Sequence, residues 1–211
     1  MWSKDLDARH LQYVVYFLGI VVLYFVKRHF MNERDGKPSE NEKFTPEQLF
    51  WKLIEKSRNM AKGDYAIQSE KLEKLLEGET PEFIVEFNNV FRTMLGKSYT
   101  WKLWAAAYII NGGCSDDTFY DFRSWLIGQG EMVYETVVND PDSLANIDIE
   151  TNDWEGLQYC APTAYKNITE NDLPKSDDLR LKTEPSGERW NEDKEEELKS
   201  LLPNLYAKYN P

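Results

Sequence analysis

Residues 111–130 read NGGCSDDTFYDFRSWLIGQG, and parsed as the turn and second arm of a helical hairpin they decide the fold. The arm before them, residues 100–110 (TWKLWAAAYII), is apolar on nearly every side, which suits a helix surrounded by protein rather than one on the surface. Gly112 supplies a left-handed residue to end that helix, and Ser115 is a good N-cap for the next. Asp116 and Asp117 fall in its first turn, where the helix dipole favours negative charge. Phe119, Phe122 and Leu126 then recur at spacings of three and four, so one face is core.

Asp116, Tyr120 and Arg123 share a different stripe of the same helix. With their neighbours they make a candidate ligand site of Asn111, Cys114, Asp116, Asp117, Tyr120, Arg123 and Gln129. The competing reading is a buried network that pins two helices, because buried charges persist when they are paired and hydrogen-bonded. Cys114 sits beside a helix N-terminus, where the dipole lowers a thiol pKa, but the two aspartates oppose a second anion there. Both histidines of the chain, His10 and His29, stand near the N-terminus, so the globular part has no imidazole base. The glycines before Ser115 resemble an anion cradle, yet the aspartates carry the wrong charge and the lysine of a phosphate-binding loop is missing. Adjacent aspartates on a helix point about 100° apart and no His or Cys spacing completes a ligand set, so neither a metal nor a cofactor is expected.

The run from Trp104 through Ala105, Ala106, Ala107, Tyr108, Ile109 and Ile110 to Asn111-Gly112-Gly113-Cys114-Ser115-Asp116-Asp117, then Phe119, Phe122-Arg123, Trp125-Leu126-Ile127 and Gln129-Gly130, resembles the core motif of a mainly bacterial family, the domain of unknown function numbered 4240. The resemblance spans roughly residues 44–165. Arg189-Trp190 and Leu201-Leu202-Pro203 look like that family's usual ending. It implies no particular reaction or ligand.

Elsewhere in the chain the punctuation is helical. Thr45, Pro46 and Gln48 form a capping box that opens a helix to about Ala61, with Phe50, Leu53, Ile54 and Ser57 on its buried side and Trp51 exposed. Asp64 starts a second helix with Leu72, Leu75 and Leu76, and Thr80-Pro81-Glu82 a third that carries Phe83, Ile84, Phe87, Val90, Phe91 and Met94. A short segment follows around Val133 and Val137, then a helix through Trp154, Leu157, Ala161 and Ala164 with a kink expected at Pro162. Pro174, Pro185 and Gly187 mark a surface loop, and a last helix is expected from Asn191. No segment alternates over strand length, so the domain is predicted to be all-α, a compact multi-helix bundle around the central hairpin.

Ahead of the domain, residues 11–26 (LQYVVYFLGIVVLYFV) are uncharged. At about 1.5 Å per residue they make roughly 24 Å of helix, slightly short of the roughly 30 Å hydrocarbon core. Lys27 and Arg28 can snorkel, and Trp2 and the tyrosines suit the interface. No small-residue cleavage pattern follows, and residues 32–43 (NERDGKPSENEK) contain no apolar side chain, so they read as a solvated tether. More Lys and Arg follow the apolar run than precede it, which places the N-terminus outside and the domain in the cytoplasm. Two cysteines, Cys114 and Cys160, suit that compartment as buried thiols. The alternative is a soluble cytoplasmic protein. The predicted division is a flank over 1–10, a membrane helix over 11–30, a polar linker over 31–43, a helical domain over 44–170, a surface loop over 171–190, and a C-terminal helix over 191–211 packed on the domain.

Charge narrows the partners. The first 43 residues carry 7 Lys and Arg against 6 Asp and Glu, and the remainder 18 against 31. So acidic a domain is repelled by phosphate backbones, which disfavours nucleic acid. The sequence reading is therefore a membrane-anchored helical module that binds a protein partner rather than a catalyst. Its rival is a small-ligand-binding or hydrolase-type domain using residues 111–130.

Overall fold

The computed structural model describes residues 44–175, 183–192 and 194–210. The predicted flank, membrane helix and linker lie outside them. Among the described residues no helix is long and apolar enough to cross a membrane.

The helices are α1 (Pro46–Ala61), α2 (Tyr65–Glu77), α3 (Pro81–Lys97), α4 (Trp101–Asn111), α5 (Asp116–Gly128), α6 (Glu131–Asn139), a 3₁₀ turn (Pro141–Asn146), α7 (Leu157–Thr169), α8 (Glu195–Leu201) and α9 (Pro203–Tyr209). Their starts follow local chemistry. Thr45 accepts from the Gln48 amide while Gln48 Oε1 accepts from the Thr45 amide at 2.8 Å, and Asp64, Thr80, Thr100 and Ser115 cap the next four helices through their side chains. Gly112 closes α4 at φ 65°, a left-handed conformation that suits a residue without Cβ.

Helix α5 is the centre of the bundle, touching α1, α3, α4, α6 and α7. That is why every residue from Phe122 to Gly128 is buried although the helix begins in solvent at Asp116 and Asp117. Helix α1 packs on α2 and α3, and α7 covers α2 and α3. The expectation that Trp51 is exposed is corrected: it is 2% exposed, with its ring 4.9 Å from Phe50 and 5.2 Å from Tyr134. Helix α1 is contacted by three neighbours, so its apolar stripe is wider than one face.

Helix α7 runs on through Pro162. Trp154, expected inside that helix, instead precedes it, stacked on Tyr65 at 5.4 Å with its Nε1 donating to Ser69 Oγ at 3.0 Å. The single C-terminal helix expected from Asn191 is two short ones, parted at Leu202 because Pro203 cannot extend the first. Leu198, Leu202 and Leu205 still return to the core. Asp142 supplies the missing cap of α9, accepting from the Leu205 amide at 2.8 Å and from Asn204 Nδ2 at 2.7 Å. Part of the predicted surface loop is pinned to the start of α4: Trp101 donates its amide to Ser186 O at 2.9 Å, and Trp190 Nε1 donates to Trp101 O at 2.9 Å. The Thr100–Ser186 pair is an isolated parallel bridge, and no strand occurs among the described residues.

Candidate functional site

A cleft of about 600 Å³ opens where the first two turns of α5 face the C-terminal end of α3 and the approach to α7. Four of the seven candidate residues line it: Asp116, Asp117, Tyr120 and Arg123. Spacing on one helix face brings them together, with Asp116 and Asp117 held in the first turn of α5 by the Ser115 cap.

The other three lie outside its lining. Asn111 Oδ1 accepts from Asn152 Nδ2 at 2.9 Å, which ties the end of α4 to the loop before α7. Gln129 donates to Tyr65 Oη at 3.4 Å and to Trp125 O at 3.3 Å, which fixes the end of α5. Cys114 lies against Trp104, whose Nε1 donates to the Cys114 carbonyl at 2.9 Å, and burial pushes its thiol up to about 12. The thiol stays protonated at neutral pH, which removes the thiolate a nucleophile requires.

Arg123 forms the floor and is 7% exposed. Its Nη1 donates to Leu95 O at 2.8 Å and its Nε to Phe119 O at 3.2 Å, while the guanidinium lies 4.5 Å from the Tyr99 ring centre and 4.8 Å from that of Phe119. Burial lowers its pKa, and Asp116 is the weakest of the charges acting on it. The Asp116–Arg123 pair that would mark a closed structural network is therefore absent among the described residues, and the space between them is open.

Sequence reasoning missed Gly96, Tyr99, Asp121, Glu155 and Gln158, which complete the lining. Asp121 carried a local signal, standing four residues after Asp117 and so on the same flank of the helix. Glu155 and Gln158 carried none, because they arrive from a loop and helix distant in sequence. Burial, then Glu155, Asp153 and Asp117, raise the pKa of Asp121. Among the described residues no Lys or Arg forms an ion pair with Asp116, Asp117, Asp121 or Glu155, although exposed pairs such as Lys74 with Glu77 at 2.7 Å form elsewhere. The cleft thus carries four carboxylates around one guanidinium whose bonded donors point to carbonyls. These carboxylates do not converge on a point: among the described residues no cluster of three or more Asp, Glu, His or Cys is placed to hold a metal ion.

The model of one family, described as a protein of unknown function (DUF4240), matches residues 46–167. No curated protein matches the chain, and no solved structure does.

Proposed function

The chain belongs to the DUF4240 family of proteins of unknown function, and we propose that its helical domain is a non-catalytic binding module whose cleft receives a positively charged group of a protein partner. The observation that carries this is the set of four carboxylates around an open space that form no ion pair among the described residues. Burial, then Glu155, Asp153 and Asp117, act against the ionised form of Asp121 in the cleft, and a Lys or Arg side chain entering there offsets that negative charge. Arg123, whose bonded donors run to backbone carbonyls and whose face lies on aromatic rings, is one positive charge beside four carboxylates and offsets only part of theirs.

An exposed aromatic at the rim supports a protein partner. Trp51 is in the core, but Tyr159 is 51% exposed and donates to Glu155 Oε1 at 2.7 Å, beside the cleft. Tyrosine with charged neighbours is a common anchor of interfaces. A second reading, a small organic cation as the occupant, is favoured by the size of the cleft, which lies within the range of ligand sites.

The module is tethered to a bilayer in this proposal, with residues 11–26 spanning it, the N-terminus outside and the domain in the cytoplasm. The support is the uncharged run, its cationic C-terminal flank and the polar tether. In fractionated cells, the full chain should sediment with membranes and stay with them through an alkaline wash. Release into the supernatant would overturn the tether and leave the cleft proposal standing.

Titrating the full chain with a lysine-bearing octapeptide and its norleucine twin tests the cleft. The lysine peptide should bind more tightly, and its advantage should shrink in high salt and in the double variant Asp121→Asn, Glu155→Gln. Equal binding of the two peptides would sink the proposal. Binding of N-acetyl-lysinamide as tight as that of the peptide would select the small-cation reading.

A further inference from the structure

Arg123 has donors that the fold leaves unused. A guanidinium carries several N–H groups in a fixed fork, and among the described residues those of Arg123 make two hydrogen bonds, from Nη1 to Leu95 O and from Nε to Phe119 O. Its Nη2 has no hydrogen-bond partner there, although the residue is only 7% exposed. Nor is Nη2 sealed inside the protein, as the partnerless nitrogens Trp51 Nε1 and Arg58 Nε are. The little surface that Arg123 shows belongs to the wall of the acidic cleft, so Nη2 opens into it. A buried charged donor without an acceptor is costly, and an occupant that brings an acceptor removes that cost.

The donor and the carboxylates face a common space. Burial and then Asp116 raise the pKa of Tyr99, while Arg123 lowers it, so this phenol of the lining feels both charges. Asp116 and Arg123 nevertheless form no ion pair. The guanidinium is also held in place before any partner arrives, 4.5 Å from the Tyr99 ring centre and 5.6 Å from that of Tyr120. Such preorganisation lowers the cost of binding.

These neighbours select the cation. A chain N-terminus carries an ammonium and, roughly 3 Å away across its Cα, a neutral carbonyl oxygen. A lysine ammonium ends a long flexible stem, so methylenes follow it into the cleft and Nη2 stays without an acceptor. A free amino acid brings a carboxylate instead of the carbonyl, which four carboxylates beside one guanidinium disfavour.

We propose that the cleft binds the free N-terminus of a partner protein, its α-ammonium attracted by Asp116, Asp117, Asp121 and Glu155 and its first peptide carbonyl accepting from Arg123 Nη2. This rests on the cation-binding reading of the cleft and narrows the cation to one with an acceptor beside it.

The test titrates the full chain at about pH 6.5, where an α-amino group is charged, with octapeptides free of Lys and Arg. One begins with glycine, one is its N-acetyl twin, and one carries an ω-aminohexanoyl group in place of glycine, which keeps ammonium and carbonyl but separates them by a run of methylenes. The glycyl peptide should bind about tenfold more tightly than the aminohexanoyl one, and the acetylated one weakest. Arg123→Met should erase the preference for glycyl over aminohexanoyl. Should that variant lose its circular dichroism, the comparison on the parent protein decides alone. Equal binding of the glycyl and aminohexanoyl peptides, on a protein that still prefers lysine to norleucine, overturns the N-terminus proposal and leaves the cation-binding reading. No preference for any of these ammonium groups overturns both. Glycinamide as tight as the glycyl peptide would overturn the partner chain in favour of a free amino-acid amide, and free glycine tighter than glycinamide would overturn the neutral acceptor.

Discussion

The Trp154 ring lies directly over Gly128: a Cβ on that glycine would come within 2.1 Å of the ring carbon Cζ3. Gly128 ends α5 in ordinary helical geometry, where alanine is usually favoured by about 1 kcal/mol. Here the ring cannot retreat, because it is stacked on Tyr65, bonded to Ser69 and 4% exposed. Overpacking of this kind costs about 1–3 kcal/mol and outweighs the propensity gain. Gly128→Ala should therefore lower Tm by several degrees, about 2–4 °C per kcal/mol for a chain of this size. Because Trp154 adjoins Glu155, it should also weaken lysine-peptide binding. A Gly128→Ala variant with unchanged or raised Tm would show that α5 is not locked to the loop before α7 through this contact.

Arg123 gives a contrast between lysine and methionine. Its planar fork reaches Phe119 O on its own helix and Leu95 O on α3 while stacking on Tyr99. Lysine keeps the buried charge and its desolvation cost but cannot reach both carbonyls, whereas methionine sheds the charge. Arg123→Lys should cost about 2–3 kcal/mol, and Arg123→Met less. Urea denaturation of the three proteins checks the order, and a lysine variant as stable as the parent would refute the fork as the reason for arginine.

The helix starts were legible because each depends on a few adjacent residues: Thr45 with Gln48, Asp64, Thr80 and Ser115 all cap as read. The core face of α5 was legible from the spacing of Phe119, Phe122 and Leu126, each fully buried. Trp51 was misread because its burial depends on Tyr134, eighty-odd residues away, which no local pattern announces. The cleft was half legible for the same reason. Asp116, Asp117, Tyr120 and Arg123 lie on one helix, whereas Tyr99 and Glu155 are delivered by the packing of α3 and α7.

The two thiols should be inert in the folded protein. Burial pushes both Cys114 and Cys160 up to about 12, so the fold favours their protonated forms. Their contribution to stability is full below the unfolded thiol value of about 8.5 and is lost as pH rises toward the folded value. Iodoacetamide at pH 7.5 should label neither cysteine until urea is added, and Cys114→Ser should retain peptide binding. Rapid native alkylation of Cys114 would mean an accessible thiolate and would reopen it as a nucleophile.

Asp121 links the cleft to the pH dependence of stability. Its pKa is raised, first by burial and then by Glu155, Asp153 and Asp117, so folding favours the protonated carboxyl. That stabilisation is complete below the unfolded carboxyl value of about 3.9 and is lost as pH rises through the folded value. At neutral pH the ionised Asp121 is therefore a liability to the fold, tolerated by a site that gains from it when a cation arrives. Asp121→Asn should raise Tm at pH 7, flatten the dependence of Tm on pH across the carboxylate range, and weaken the lysine peptide. Higher stability with undiminished lysine binding would separate the two effects and leave Asp121 outside the cation site. Lower stability at pH 7 would instead show that the carboxylate makes a favourable contact in the folded domain, against the direction of its shift.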